Sequence, residues 1–123
     1  MEIKNLNKED VMEIVEKGFP LKPLFNKVCI TLNTEKVQDE NDLQLTTNIF
    51  SETQYIVAVG HGTQHLKEGD KVLIDVEKLM VPVRQERNNS YEDIKQVKIN
   101  MFDVDGNPFA FIDDRVITAI DNR

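Results

Sequence analysis

The stretch Tyr55-Ile56-Val57-Ala58-Val59-Gly60-His61-Gly62 decides the fold that this sequence predicts. Its first five residues include an aromatic and three β-branched side chains, and residues of these types are enriched in β-strands. Gly60 and Gly62 follow, and glycine allows the backbone conformations that a tight turn requires. The stretch therefore predicts a strand that ends in a turn.

Further strands are predicted on both sides of this stretch. Before it, Val28, Ile30 and Leu32 alternate with polar or small residues, which is the pattern of a half-buried strand. After it, short strands are predicted at residues 71–75, 94–102, 109–112 and 115–120. Asp105-Gly106 lies between the middle two, and this dipeptide is a strong signal for a β-hairpin. Several short strands with closely spaced turn signals predict an all-β fold, in the form of a small β-barrel.

A single short helix is predicted near the N-terminus. Asn7 is a residue that can cap a helix, and apolar residues follow at helical spacing at Val11, Ile14 and Val15. Gly18 is suited to the conformation that ends a helix. We therefore expect a helical extension at residues 1–20 and the β-barrel domain at residues 21–123, with the apolar face of the helix packed on the barrel.

Residues 33–54 are predicted to form a long mobile loop. No helical or strand period persists through them, and five charged residues make the first half too polar to bury much apolar surface: Glu35, Lys36, Asp39, Glu40 and Asp42. Connections of this length are uncommon in a small domain and are usually functional or disordered. We therefore expect the function of the protein to involve this loop.

Length and composition exclude several classes of protein. A chain of 123 residues fits one domain, and its net charge of -7 disfavours nucleic acid as a partner, because phosphate binding needs a positive face. The apolar runs are shorter than the roughly 20 residues that cross a bilayer, so no membrane association is expected. The first residues lack the apolar stretch of a secretory signal, and Cys29 is the only cysteine. A reducing, cytoplasmic location is therefore expected.

Three stretches in this order resemble the GroES-type co-chaperonin (chaperonin-10) family. They are Pro23-Leu24-Phe25-Asn26-Lys27-Val28-Cys29-Ile30, then residues 56–62 together with Gly69-Asp70-Lys71-Val72, and finally residues 112–120. The resemblance covers most of the chain from Pro23 onward. It implies a GroES-like β-barrel subunit of a heptameric ring, without enzymatic activity or a cofactor. Such a ring caps a large GroEL-like chaperonin and assists ATP-dependent protein folding.

The resemblance also implies which residues make contact with partners. The family's mobile loop carries a Gly-Gly-Ile-Val-Leu-like hook that binds the chaperonin, and the matching position here is Leu43-Gln44-Leu45, without the glycines. Ile49-Phe50 is a rival candidate for the same role. The alternative for all of these apolar residues is that they anchor the return of the loop to the barrel. First and last strands of neighbouring subunits pair in the family, which implies an interface at four residues that could equally be core: Val28, Ile30, Val116 and Ile117.

One departure from the bacterial members of the family concerns the connection between Gly62 and Gly69. Bacterial co-chaperonins place a β-hairpin there that forms the roof of the dome, and this connection is too short to hold one. In this respect the chain is similar to phage-encoded co-chaperonins, which would place it in the cytoplasm of the host.

Two other interpretations remain open. The barrel of zinc-dependent alcohol dehydrogenases has a stretch similar to residues 59–72, but this chain lacks the Gly-x-Gly-x-x-Gly turn and the length for a dinucleotide domain. A viral structural or assembly protein could also use such a barrel. His61 and His65 are better explained as exposed turn residues than as metal ligands, and the same holds for Asp103 and Asp105. No catalytic, metal or cofactor site is therefore predicted.

Overall fold

The computed structural model describes residues 5–39, 42–63, 65–87, 90–97 and 99–123. Within these ranges, the description of residues 36–49, 81–83 and 85–98 covers the backbone alone. In these ranges the chain is mostly β, with one α-helix, α1 (Lys8–Lys17). The strands follow in chain order: β1 (Lys27–Thr31), β2 (Thr34–Asp39), β3 (Asp42–Phe50), β4 (Thr53–Val59), β5 (Lys71–Ile74), β6 (Met80–Arg87), β7 (Ser90–Val97), β8 (Asn100–Val104), β9 (Asn107–Asp113) and β10 (Ile117–Ile120). Short 3₁₀ helices at Val76–Leu79 and Asp114–Val116 precede β6 and β10.

Six of the strands form one antiparallel sheet in the order β10-β5-β4-β1-β9-β8. The central strand β1 pairs with β4 on one side, where Val28 lies opposite Val59, and with β9 on the other, where Val28 lies opposite Ile112. A barrel closes only when its two edge strands pair. Among the described residues β10 and β8 remain the two edges of an open sheet, so the prediction of a closed barrel is wrong for the single chain.

The remaining four strands form two separate hairpins. β2 pairs with β3, and β6 pairs with β7. The predicted loop at residues 33–54 is therefore in large part a hairpin. Two strands of an isolated ribbon pair through the backbone groups that face each other, and this pairing does not depend on an apolar face against a core. Their sequences consequently lack the alternation that reveals a strand of the main sheet.

The helix α1 begins and ends where the sequence predicts. Asp10 N donates to Asn7 Oδ1 at 2.9 Å and Asn7 N donates to Asp10 Oδ2 at 3.1 Å, so the two side chains form a reciprocal N-terminal cap. Gly18 ends the helix with a φ of 87°. In the described part of the chain no helix is long and apolar enough to cross a membrane.

The apolar side chains form two clusters. The first core cluster contains Val28, Ile30, Leu32, Ile56, Leu66, Val72, Ile74, Ala110, Ile112 and Val116. The second core cluster contains Leu6, Val11, Cys29, Val57, Ala58 and Phe109, with Ile14, Val15 and Phe19 packed against it. The second cluster confirms that the apolar face of α1 packs on the sheet. It also means that β1 is buried on both faces rather than half-buried, because the N-terminal segment covers the face that carries Cys29.

The Asp105-Gly106 dipeptide joins β8 to β9 as predicted. Both residues have positive φ values, 52° and 82°, as a two-residue type I′ hairpin turn requires. On either side of this turn β8 and β9 pair along their length, from Val104 opposite Asn107 next to the turn to Asn100 opposite Phe111 at the far end. The hairpin places Phe109 in the second core cluster, beneath α1.

Candidate functional site

The β2–β3 hairpin leaves the main sheet between β1 and β4. β1 ends at Thr31 and β2 begins at Thr34, while β3 ends at Phe50 and β4 begins at Thr53. Among the described strands, β2 and β3 pair only with each other. Ser51 N donates to the Asn33 carbonyl oxygen at 2.9 Å and closes the base of the hairpin. We call residues 34–50 the arm.

The side chain of Gln54 holds the base of the arm together. It is fully buried, and its Oε1 accepts hydrogen bonds from Thr31 Oγ1 at 2.9 Å and from Asn33 N at 2.8 Å. Its Nε2 donates to the carbonyl oxygens of Asn33 and Ser51, both at 2.9 Å. One amide thus joins the two chain segments that enter and leave the arm. This role was not predicted from the sequence. Its only signal in the sequence is a single glutamine directly before the apolar stretch at residues 55–59.

The predicted chaperonin-binding residues lie on β3. Leu43, Gln44, Leu45 and Ile49 belong to this strand, and their side chains are outside the described residues. Phe50, at the end of β3, is half-buried and packs against the first core cluster. This packing fits the alternative that Phe50 anchors the arm. The role of all five residues in binding stays a prediction.

The predicted interface residues pack inside the chain. Val28 and Ile30 are fully buried, Val116 is 7% exposed, and Ile117 is half-buried against the same first core cluster. These positions agree with the alternative prediction that the four residues belong to the core. β1 pairs with β4 and β9, so its backbone has no edge left for the last strand of a neighbouring subunit. A subunit interface at these four side chains stays a prediction.

The turn at Gly60-His61-Gly62 packs directly on the backbone that precedes β1. Gly60 N donates to the Lys27 carbonyl oxygen at 2.9 Å, and Gly62 N donates to the Phe25 carbonyl oxygen at 2.8 Å. A Cβ at Gly60 would lie 2.9 Å from the Lys27 oxygen, and one at Gly62 would lie 2.9 Å from the Phe25 oxygen. Close approach, rather than a special turn conformation, is what requires glycine at these positions. The contact brings two of the stretches behind the family resemblance together.

Three large apolar side chains stay exposed beside this contact. Leu21 is 42% exposed, Leu24 is 59% exposed, and Phe25 is 67% exposed with its ring centroid 5.4 Å from that of His61. We call Leu21, Leu24 and Phe25 the apolar strip. Large apolar side chains that stay exposed within one short segment are candidates for contact with another protein. The sequence signal for the exposure of the apolar strip is its position around Pro20 and Pro23, because proline disfavours a central, buried strand.

The last strand presents a second exposed feature. β10 pairs with β5, with Ile120 opposite Val72, and its other edge is unpaired among the described strands. Ile120 is 39% exposed. Beyond the strand, Asp121 N continues the ladder by donating to the Lys71 carbonyl oxygen at 2.7 Å. The strand therefore offers a short backbone edge with an apolar side chain near its end.

Asp121 fixes the end of β10 through its side chain, which is 2% exposed. Its carboxylate accepts hydrogen bonds from Arg123 Nε and Arg123 Nη2, both at 3.0 Å, and lies 3.8 Å from Lys71 Nζ. The hydrogen bonds with Arg123 and then the charge of Lys71 hold the pKa of Asp121 well below its usual range. The charged form of this carboxyl is thus the one that the folded chain stabilises.

We predict that Asp121→Asn weakens the pH dependence of folding stability in acid. Because the folded-state pKa of Asp121 is lowered, its stabilising contribution is present above the unfolded pKa of about 4 and is lost as the pH falls below that value. In wild-type protein the melting temperature should drop more steeply below about pH 4 than in the variant. Glu68→Gln, at an exposed position, serves as the control. Parallel curves for all three proteins would contradict the prediction.

The described residues offer little covalent or metal chemistry. Burial raises the pKa of the Cys29 thiol to about 12, so it is protonated at neutral pH and unsuited to act as a nucleophile. His61 and His65 are exposed. No group of three histidine, cysteine, aspartate or glutamate residues in the described ranges is placed to hold a metal ion. The features of the described residues that stand out from the main sheet are the arm and the exposed apolar strip.

No protein-family model matches this chain, and no curated protein matches it.

Proposed function

We propose that this chain is a subunit of a GroES-type co-chaperonin ring that caps a large chaperonin and assists ATP-dependent protein folding. The observation that carries the proposal is the arm, a hairpin that leaves the sheet between β1 and β4 and whose described contacts with the rest of the chain lie at its base. The resembling family carries its chaperonin-binding loop after its first strand. In this proposal the open six-stranded sheet is the counterpart of the family's barrel.

Leu43 and Leu45 are the proposed docking residues. They are two positions apart within β3, beside the irregularity in its pairing with β2 between Gln38 and Asp39, so we expect the same bulged segment to present both. A paired hairpin has less conformational entropy to lose on binding than an unstructured loop of the same length. Each arm still buries only a few apolar groups. Firm but reversible capping then arises from several arms that bind at a raised effective concentration.

The apolar strip and the free edge of β10 are the proposed contacts between subunits. A strand edge and an exposed apolar segment on different parts of one chain fit a head-to-tail interface, and such interfaces close into rings. Ring closure would cover Leu21 and Leu24 of each subunit and pair the backbone of β10. The number of seven subunits comes from the family resemblance. The contact proposed here lies next to β1 rather than on it, because both edges of β1 are occupied.

The docking role is tested by combining Leu43→Asp with Leu45→Asp. We expect binding to a GroEL-like chaperonin in the presence of nucleotide to fall by about 100-fold or more, since burial of a leucine contributes about 1.5–3 kcal/mol and the loss is repeated in every arm. Affinity is measured by pull-down and by titration. The control is Met101→Asp, which changes another apolar residue, 58% exposed on β8, away from the arm. Binding that survives the double change would reject the arm as the docking site, and a loss of binding in the control as well would show that the effect is not specific to the arm.

The same experiment distinguishes docking from assembly. Native mass spectrometry should find the ring intact in the Leu43→Asp, Leu45→Asp double variant, whereas Leu24→Asp in the apolar strip should release monomers. A ring without affinity for any chaperonin would favour the viral structural or assembly protein instead. A wild-type monomer at micromolar concentration would reject the ring.

A further inference from the structure

The N-terminal segment binds the base of the arm through two reciprocal amide contacts. Leu6 N donates to Asn33 Oδ1 at 2.9 Å, and Asn33 Nδ2 donates to the Leu6 carbonyl oxygen at 2.8 Å. In the opposite sense, Asn5 Nδ2 donates to the Thr34 carbonyl oxygen at 2.7 Å, and Thr34 N donates to Asn5 Oδ1 at 3.0 Å. Each asparagine thus bridges both backbone groups of a residue in the other segment. A primary amide can do this because it holds a donor and an acceptor side by side.

The N-terminal segment is itself fixed on the sheet at both ends. Leu6 and Val11 are buried in the second core cluster, at 7% and 0% exposure. Beyond the helix, Phe19 packs edge-to-face on Phe109, with ring centroids 5.1 Å apart. Contacts at both ends leave α1, which packs on β4, little freedom to move relative to the sheet. A group hydrogen-bonded to Asn5 or Leu6 is therefore hydrogen-bonded to a rigid support.

The backbone of Asn33 is consequently held from two sides. Gln54 binds its N–H and carbonyl from within the sheet, and Leu6 binds its side chain from the N-terminal segment. Thr34, the first residue of the arm, is held by Asn5. A hairpin tied only through its closing pair could pivot about that pair. Two further points of attachment on a different element oppose this pivot.

We propose that Asn5 and Asn33 are positioning residues that fix the direction in which the arm leaves the sheet, with α1 as the rigid support. The use of the arm for docking rests on the proposed function, whereas the mechanical coupling is a property of the free chain. The arm, held at one angle, is presented to a partner with less orientational freedom to lose, and pre-organisation of this kind strengthens binding. In this role the N-terminal helix holds Asn5 and Leu6 in place beside the base of the arm.

Hydrogen–deuterium exchange of the full-length protein tests the coupling without any partner. In Asn5→Ala and in Asn33→Ala we expect amides of β2 and β3 to exchange about 10-fold faster, because each change removes two hydrogen bonds and each bond contributes roughly a factor of 2–12. Amides of β1, β4 and β9 should keep their wild-type rates. The matched control is Asn7→Ala, which removes the helix cap and should speed exchange in α1 alone.

Two outcomes would overturn the inference. One is unchanged exchange in the arm for both Asn5→Ala and Asn33→Ala. The other is faster exchange in every strand together, since this would mean that the asparagines only contribute to global stability. Asn33→Asp adds a second readout. Its ionised carboxylate cannot donate to the Leu6 carbonyl, so arm exchange should be fast at neutral pH and should slow, after correction for intrinsic rates, when acid protonates the carboxyl. Failure of this recovery would also count against the amide contacts.

Chaperonin binding separates this inference from the proposed function. If the arm docks, Asn5→Ala and Asn33→Ala should weaken binding about 10-fold while the ring stays intact in native mass spectrometry. If the Leu43→Asp, Leu45→Asp double variant binds like wild type, the proposed docking fails, yet the exchange result still decides whether the arm is coupled to α1.

Discussion

Gln54→Leu is expected to be among the most destabilising single changes in the described part of the chain, with a loss of about 3 kcal/mol or more in the free energy of unfolding. The leucine nearly fills the same space but removes all four hydrogen bonds of the glutamine amide. Asn33 N and the Thr31 hydroxyl would then lack this acceptor in a site closed to water, and an unpaired buried polar group costs about 1–3 kcal/mol. Chemical denaturation followed by far-UV circular dichroism measures the loss.

A milder variant in the same network calibrates the effect. Thr31→Val removes one bond to Gln54 and the hydroxyl that accepts from Tyr55 N at 3.0 Å, so we expect a loss of about 1–2 kcal/mol. If Gln54→Leu were no more destabilising than Thr31→Val, the base of the arm would not depend on the glutamine. Exchange data on Gln54→Leu should additionally show faster opening of β2 and β3 before the rest of the sheet unfolds.

Gly60→Ala is expected to lower the free energy of unfolding by about 3 kcal/mol. A methyl group at this position would collide with the carbonyl oxygens of Phe25 and Lys27, which are backbone atoms without a flexible side chain that could move aside. Separation of the two segments would break the hydrogen bonds from Gly60 N and Gly62 N. For a domain of this size the melting temperature should fall by about 10 °C, as measured by calorimetry.

Gly106→Ala is the matched control for Gly60→Ala. Gly106 has a φ of 82°, so alanine there meets backbone strain of about 1–2 kcal/mol, but no atom lies within 4 Å of the added methyl group. At Gly60 the situation is reversed: an added methyl group would meet backbone oxygens, whereas the φ of Gly60 is not positive. A loss at Gly106 as large as that at Gly60 would indicate that turn conformation, and not close packing on Phe25 and Lys27, makes Gly60 necessary.

The main sheet could be predicted from the sequence because its strands have a buried side. Residues 55–59 and 71–75 carry apolar side chains in strand patterns, and the structure places strands there as β4 and β5. The helix was predictable for a similar reason, since Asn7 and Gly18 have local chemistry that fixes its ends. In each of these cases one or two neighbouring residues carry the information.

The arm and the open sheet could not be predicted because they depend on long-range contacts. A polar ribbon such as β2–β3 is stabilised by pairing between segments, and no single segment carries a signal for it. Whether a sheet closes depends on where its edge strands meet, which the pattern within β8 or β10 does not encode. The roles of Gln54 and Asn33 likewise follow from groups up to 27 residues away.

The exposed position of Leu24 and Phe25 was missed for a different reason. A sequence pattern marks them as apolar, and apolar residues next to a strand are usually expected to be buried. Here the turn that holds Gly60 against Lys27 occupies the backbone of this segment and leaves the side chains outside. Only the packing of the turn distinguishes an apolar strip from a part of the core.

The two uncovered edges of the main sheet have a consequence for handling the protein. Unpaired backbone groups on an edge strand accept strands from any other chain, and this is a common origin of aggregation. β10 has four residues and β8 has five, so each edge is short, but neither is shielded by a further described strand. Rapid overproduction should therefore favour inclusion bodies, and slower expression at lower temperature should increase the yield of correctly folded material.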